Sequence, residues 1–107
     1  AWVGDDAVLY TLGEITIGAN SVVSQKCYLC TGSHDFMSQH FDITASPIVI
    51  GEKCWLATDV FVAPGVSVGD GTVVGARSSV FKSLPANTVC RGNPAVVIRE
   101  RVETEKL

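Results

Sequence analysis

Residues 50–80 read IGEKCWLATDVFVAPGVSVGDGTVVGARSSV, and an aliphatic side chain returns at every sixth place: Ile50, Leu56, Val62, Val68, Val74 and Val80. The residue after it is often tiny, as at Gly51, Ala57, Ala63, Gly69 and Gly75. Four places on from the aliphatic stand small or modest residues: Cys54, Val60, Val66, Thr72 and Ser78. Turn formers such as Pro64-Gly65 and Asp70-Gly71 lie between. A period of six fits neither an α-helix at ~3.6 residues per turn nor a lone strand alternating at two. It fits a short strand plus a tight corner, repeated. Three such units close a triangular coil of about 18 residues, each strand stacking on its equivalent one coil away at ~4.8 Å.

The same step runs upstream through Ile17, Val23 and Leu29, and from Val3 to Leu9. Stacking then predicts three inward columns: Ile17, Ile50 and Val68; Val3, Val23, Leu56 and Val74; Leu9, Leu29, Val62 and Val80. Corner residues need unusual backbone angles, which accounts for the glycine, asparagine and aspartate found there. The register breaks twice. Two extra residues fall between Leu9 and Ile17, around Leu12-Gly13, and residues 35–49 intervene before Ile50 resumes the pattern. A solenoid extrudes such an insertion from a corner as a loop, often on the functional face. After Val80 the pattern fades. Residues 84–88 read as a last corner, 92–95 as a turn, and the charged tail 96–107 as a short helix. The expected fold is therefore all-β: one parallel β-helix domain over residues 1–107, with one extruded loop and a short C-terminal segment. Periodicity does not give the hand of the coil, and the usual crossover rule taken alone favours the right-handed one.

A chain of 107 residues holds one domain, and 47% hydrophobic with 18% charged residues is a globular composition. No apolar run approaches the ~18–20 residues of a membrane span; the sequence shows no basic-then-apolar leader and opens on Ala1-Trp2 without a methionine, which reads as a trimmed or partial start. A net charge of −3 argues against nucleic acid as a partner. The distribution is uneven: Lys26 and Lys53 are the only bases before residue 76, whereas Arg77, Lys82, Arg91, Arg99, Arg101 and Lys106 follow it. A basic C-terminal end on an acidic body attracts a small polyanion, unless these side chains are simply solvated. Cys27 and Cys30 form a CxxC, but Cys54 and Cys90 stand alone, so the paired motif of a zinc ribbon is missing. Cys27 and Cys54 also occupy the small fourth position of the repeat. Reduced structural thiols in a cytoplasmic protein are the expectation.

The repeat, together with Leu29 to Asp35 (LCTGSHD), Ile48 to Ala57 (IVIGEKCWLA) and Arg91 to Arg99 (RGNPAVVIR), resembles the hexapeptide-repeat acyltransferases. The nearest look is to their sugar O-acetyltransferases of the galactoside, maltose and colanic acid types. The resemblance implies a left-handed coil and a homotrimer, with acetyl-CoA in the groove between neighbouring subunits and no metal. It implies transfer of an acetyl group to a hydroxyl of a sugar or similar small acceptor.

Such transfer needs a base for the departing proton, a dipole for the developing oxyanion and a grip on coenzyme A. His34 matches the family's catalytic histidine, and imidazole is the side chain suited to that role near neutral pH. Asp35 either orients that ring or is a solvated loop carboxylate, and His40 has no matched role. By the same match, the backbone N–H near Thr58 faces the oxyanion. Trp55 walls the pantetheine or acceptor channel, Ala57 is counted with it among the cofactor-binding residues, and Ala76 lets backbone approach the pantetheine arm. Lys82 and Arg99 match positions that meet the phosphates, and Asn93-Pro94 the turn beside the adenine. Two departures stand out. Val96 replaces a second arginine, and the stretch Leu9-Tyr10-Thr11-Leu12 lacks the asparagine that binds acceptor in related enzymes. Two other readings stay open: a non-catalytic solenoid serving as an interaction module, and a γ-type carbonic anhydrase. The latter wants three histidines around zinc, where this chain has His34 and His40.

Overall fold

The structure is a computed structural model that describes residues 1–102. Twelve of its fifteen short strands are laid down by the expected rule of strand, corner, strand. The first face stacks Trp2–Val3, Val22–Val23, Trp55–Leu56, Val73–Val74 and Thr88–Gly92, each parallel to the next. The second face stacks Val8–Tyr10, Tyr28–Cys30, Phe61–Val62 and Ser79–Val80. The third stacks Ile15–Ile17, Ile48–Ile50 and Ser67–Val68, with Leu84 added by a single bridge.

The register reproduces all three expected columns. Val3 pairs with Val23, Val23 with Leu56, and Leu56 with Val74, and Cys90 extends this column. Leu9, Leu29, Val62 and Val80 form the second column, and Ile17, Ile50 and Val68 the third. Val23, Leu29, Leu56, Val62, Val74 and Val80 are completely buried. Val3 and Leu9 point the same way but stay exposed, because the first coil has a neighbour on one side only.

Corners follow one rule. Where the six-residue step continues, the third residue after the inward aliphatic has a positive φ: Asp6, Asn20, Lys26, Lys53, Asp59, Gly65, Gly71, Arg77 and Asn87; Leu9, Leu29 and Val80, after which the step breaks or fades, have no such residue. Lysine and arginine hold this left-handed angle at Lys26, Lys53 and Arg77, against their steric preference, because the stacked coils over-determine it. The small fourth residue does more than fit. Ser21 Oγ donates to Gly51 O at 2.6 Å, Cys27 Sγ to Ala57 O at 3.1 Å, Cys54 Sγ to Gly69 O at 3.1 Å and Thr72 Oγ1 to Pro85 O at 2.5 Å. Each bond ties one corner to the corner of the next coil and satisfies a carbonyl that lies outside the strand ladders. Tiny residues after the aliphatic serve close approach: a Cβ on Gly18 would stand 2.6 Å from the Gly51 carbonyl.

Two expectations need revision. The tail from Val96 is not a helix. Ala95–Glu100 is a strand, antiparallel to Thr88–Gly92 and closing the edge of the first face. Val96, Val97 and Ile98 are β-branched, and an unpaired sheet edge beside them offers more than a solitary short helix could. Lys106, with the rest of 103–107, lies outside the described residues. The large insertion is a hairpin rather than a bare loop: Gly32–His34 pairs antiparallel with Ile43–Ala45, and the coil is already re-entered at Ile48.

Candidate active site

The hairpin carrying His34 grows from the corner between the second and third faces. Its root is Thr31, fully buried. Thr31 Oγ1 donates to Tyr10 O at 2.6 Å and accepts from Gly13 N at 2.8 Å, while Thr31 N also donates to Tyr10 O at 3.1 Å. Ser46 N donates to Thr31 O at 2.9 Å, so one residue ties the first interruption of the repeat to both legs of the second.

His34 lies opposite Ile43 in the hairpin and is exposed. Its Nδ1 is 2.9 Å from the carbonyl oxygen of Phe41. A carbonyl only accepts, so Nδ1 carries the proton and Nε2 presents a lone pair. Phe41 reaches this place with φ 50°, the one left-handed residue outside the coil corners other than Gly92. Asp35 does not orient the ring. Its Oδ1 accepts from Met37 N at 3.0 Å and shapes the hairpin turn. His40 sits in that turn, its N–H 3.3 Å from Ser38 Oγ, away from the cleft. The cleft beside His34 encloses about 280 Å³ and is lined by Tyr10, Leu12, Tyr28, Gly32, Ser33, His34 and Ile43.

The other expected residues fall at two further places. Trp55 leaves the first face half-exposed, with its indole N–H on Ser24 Oγ at 3.0 Å. Ala57 and Thr58 follow it into the corner between the first and second faces. Ala76 turns the same corner one coil later, since Arg77 N donates to Thr58 O at 2.9 Å. Ala57 N and Asp59 N donate to Val74 O and Gln25 O, whereas the Thr58 N–H between them donates to no acceptor among the described residues. This corner and the His34 hairpin flank the second face on opposite edges.

Lys82, Asn93 and Pro94 meet in a third place, a largely apolar recess of about 470 Å³ shared with Phe81, Ala95 and Val96. Ser79 Oγ donates to Asn93 Oδ1 at 2.5 Å and fixes its side-chain oxygen. Arg99 is not in this recess. It pairs with Val89 and so belongs to the outward column of Trp55 and Val73 on the first face. An aromatic ladder joins the recess to the His34 cleft along the second face: Tyr28 to Phe61 at 6.1 Å and Phe61 to Phe81 at 5.8 Å between ring centres.

All four cysteines are free thiols. Burial pushes the Cys27 and Cys54 thiols up, against backbone hydrogen bonds that pull the other way, so neither is a ready nucleophile. No three of His, Cys, Asp and Glu converge as a metal site among the described residues. None of their helices is long and apolar enough to cross a membrane.

Sequence reasoning did not find Tyr10, Leu12, Tyr28 or the Phe41 carbonyl. The first three were legible in principle, since Tyr10 and Tyr28 flank inward leucines in consecutive coils. The carbonyl carries no signal in the sequence.

Comparison with known proteins agrees with this architecture. Residues 47–82 match the family model for the bacterial transferase hexapeptide (six repeats). The chain is 88% identical over 105 residues to a protein of Escherichia coli (strain K12) named for colanic acid biosynthesis acetyltransferase WcaF, covering 98% of this chain and 58% of that relative. A maltose O-acetyltransferase from Clostridium difficile 630 superposes with a TM-score of 0.82 at 32% identity, over 94% of this chain and 59% of that one. A hexapeptide-repeat acetyltransferase from Vibrio cholerae, solved with acetyl coenzyme A, gives 0.86 at 28% identity, over 94% and 60%. The chain thus spans somewhat under two thirds of the length of these relatives. By its repeat, its left-handed β-helix fold and these likenesses, the chain belongs to the hexapeptide-repeat acyltransferase family.

Proposed function

We propose that the chain is an acetyl-CoA-dependent O-acetyltransferase acting on a hydroxyl of a sugar or similar small acceptor, with His34 as general base. The observation that carries this reading is the hydrogen bond from His34 Nδ1 to Phe41 O, which leaves Nε2 able to accept a proton beside a cleft. As the acceptor hydroxyl attacks the thioester carbonyl, its proton passes to Nε2, and the imidazolium then returns a proton to the departing thiolate. Acetyl-CoA supplies the activated acyl group. The Thr58 N–H is the candidate donor to the oxyanion.

The recess of Lys82, Asn93 and Pro94 suits a ligand with a flat apolar end and a nearby phosphate, and the Tyr28–Phe61–Phe81 ladder offers an apolar path from it to the cleft. Arg99 belongs to the phosphate grip only if a second copy brings the first face of one protomer against the second face of another. The same arrangement would unite His34 with Thr58 and Ala76, which stand on opposite edges here. A homotrimer is the assembly we favour for this reason. Half-exposed Trp55, Phe81 and Val49 supply apolar surface for it. A cytoplasmic location fits the free thiols and a cytoplasmic acyl donor.

The test is His34→Gln, with acetyl transfer followed across a panel of glycosides and acetyl-CoA binding measured by calorimetry. Loss of about 10²–10⁴ in rate with binding retained is expected for a positioned base. An unimpaired rate would remove His34 from the mechanism.

A further inference from the structure

The last strand, Ala95–Glu100, carries one residue too many for a plain antiparallel pair. Val97 faces Cys90 and Arg99 faces Val89, so Ile98 is a bulge with no partner of its own. Side chains of a regular strand alternate, and Val96 and Arg99 would then point to opposite sides. The extra residue reverses the alternation between them. Val96 stands with Arg91, and Arg99 with Val89, both on the outward side of the first face. Among the described residues Arg99 makes only one long bond, from Nη1 to Glu100 O at 3.4 Å, so its guanidinium is unclaimed.

Beyond the bulge, the shifted register is held from outside the sheet. Arg101 N donates to Asn87 O at 2.8 Å, while Arg101 Nη1 donates to Lys53 O at 3.0 Å and to Gly71 O at 2.9 Å. Lys53, Gly71 and Asn87 are left-handed corners of three successive coils, where the third face turns into the first. No backbone N–H among the described residues donates to the Lys53 or Gly71 carbonyl. The guanidinium therefore satisfies two acceptors that the coil leaves over. The start of the strand is tied as well, by Ser79 Oγ on Asn93. Without the bulge, Glu100 would come to the place of Arg101, and a carboxylate has no hydrogen to give those carbonyls.

We infer that Arg101 is a positioning residue for coenzyme A: by holding the bulge at Ile98 it aims Arg99 outward, at the phosphates of a donor bound to the neighbouring protomer. The inference rests on the reading in which Arg99 belongs to the phosphate grip. Arg101 does not touch the donor, since its Nη1 is spent on the corner, away from the recess of Lys82, Asn93 and Pro94.

The experiment measures binding of coenzyme A and of pantetheine, which lacks the nucleotide and its phosphates, to the full chain by calorimetry. Arg99→Ala and Arg101→Ala should each weaken coenzyme A by about tenfold and leave pantetheine within about twofold. Deletion of Ile98 keeps every charge and should do the same. Because Arg101 acts through Arg99, the Arg99→Ala, Arg101→Ala double variant should bind coenzyme A no more weakly than Arg99→Ala alone. Parent-like binding in Arg101→Ala, with Arg99→Ala weakened, overturns the inference and spares the grip. Additive losses in the double variant also overturn it, as does an equal loss for pantetheine, the mark of a merely structural role. Parent-like binding in Arg99→Ala brings down the grip itself and the inference with it.

Discussion

Thr31→Val separates the role of one hydroxyl from that of the side chain's bulk. Valine keeps the β-branch and nearly the volume, so the fully buried site stays filled. What goes is an oxygen that donates to Tyr10 O at 2.6 Å and accepts from Gly13 N at 2.8 Å. Tyr10 O keeps the Thr31 amide at 3.1 Å, so that loss is one net hydrogen bond, about 1 kcal/mol. Gly13 N is left without its acceptor in a half-buried place, adding about 1–2 kcal/mol. The extra buried methyl returns about 0.8 kcal/mol. The balance is a destabilisation of about 2 kcal/mol, read as a lower urea midpoint at unchanged slope with protomer concentration held fixed. Thr31→Ser is the control: it loses a methyl, about 1 kcal/mol, and keeps both bonds. Hydrogen exchange at the Gly13 amide should therefore quicken in the valine variant and not in the serine one. Equal Gly13 protection in both, or a valine variant within about 0.5 kcal/mol of the parent, would refute the reasoning.

Two further outcomes follow from the coil itself. Gly18→Ala should lose about 1–3 kcal/mol, because its Cβ meets the Gly51 backbone at 2.6 Å. Gly75→Ala should lose under about 1 kcal/mol, because there the nearest atom is Arg91 Cβ at 3.1 Å and can shift; denaturant melts that rank the two the other way would contradict the stacking. Burial raises the Cys27 and Cys54 thiols in the folded chain, so the folded state holds protons that the unfolded state gives up. Stability should be intact below the ordinary thiol range, about pH 8.5, and should fall as pH climbs beyond it. The Cys27→Ala, Cys54→Ala double variant should show a shallower alkaline fall in urea midpoint, and parallel curves would remove the thiols as its cause.

Inward columns were fully legible because each depends on a side-chain type repeated at a fixed interval, from Ile17 to Ile50 to Val68 and likewise on the other faces. Corners were legible in position but not in kind. Glycine, asparagine and aspartate announce a left-handed residue, whereas Lys26, Lys53 and Arg77 reveal it only through their register. The tail is less legible because its charges mask the β-branched run of Val96, Val97 and Ile98, whose partner strand lies several residues back. At the candidate site, His34 is proposed from its motif. The Phe41 carbonyl that sets its tautomer could not be, since every residue carries a carbonyl and only the fold decides where it points.

The two breaks in the repeat explain why the residues lining the His34 cleft gather where they do. Inward positions and corner positions are committed to the coil, since changing either disturbs a column or a left-handed turn. Variation enters at outward positions and where the six-residue step fails. It fails after Tyr10 and again after Cys30, and these two residues pair in register on the second face, so the interruptions stack at one corner. Each break frees a few residues from the coil, and stacking then brings the freed residues together: Tyr10 and Leu12 from one, Gly32 and His34 from the other, with Thr31 binding the two. Neither break alone makes a cleft. A single extra hexapeptide between them would move one to another face, leaving His34 without its wall while the solenoid stacked as before.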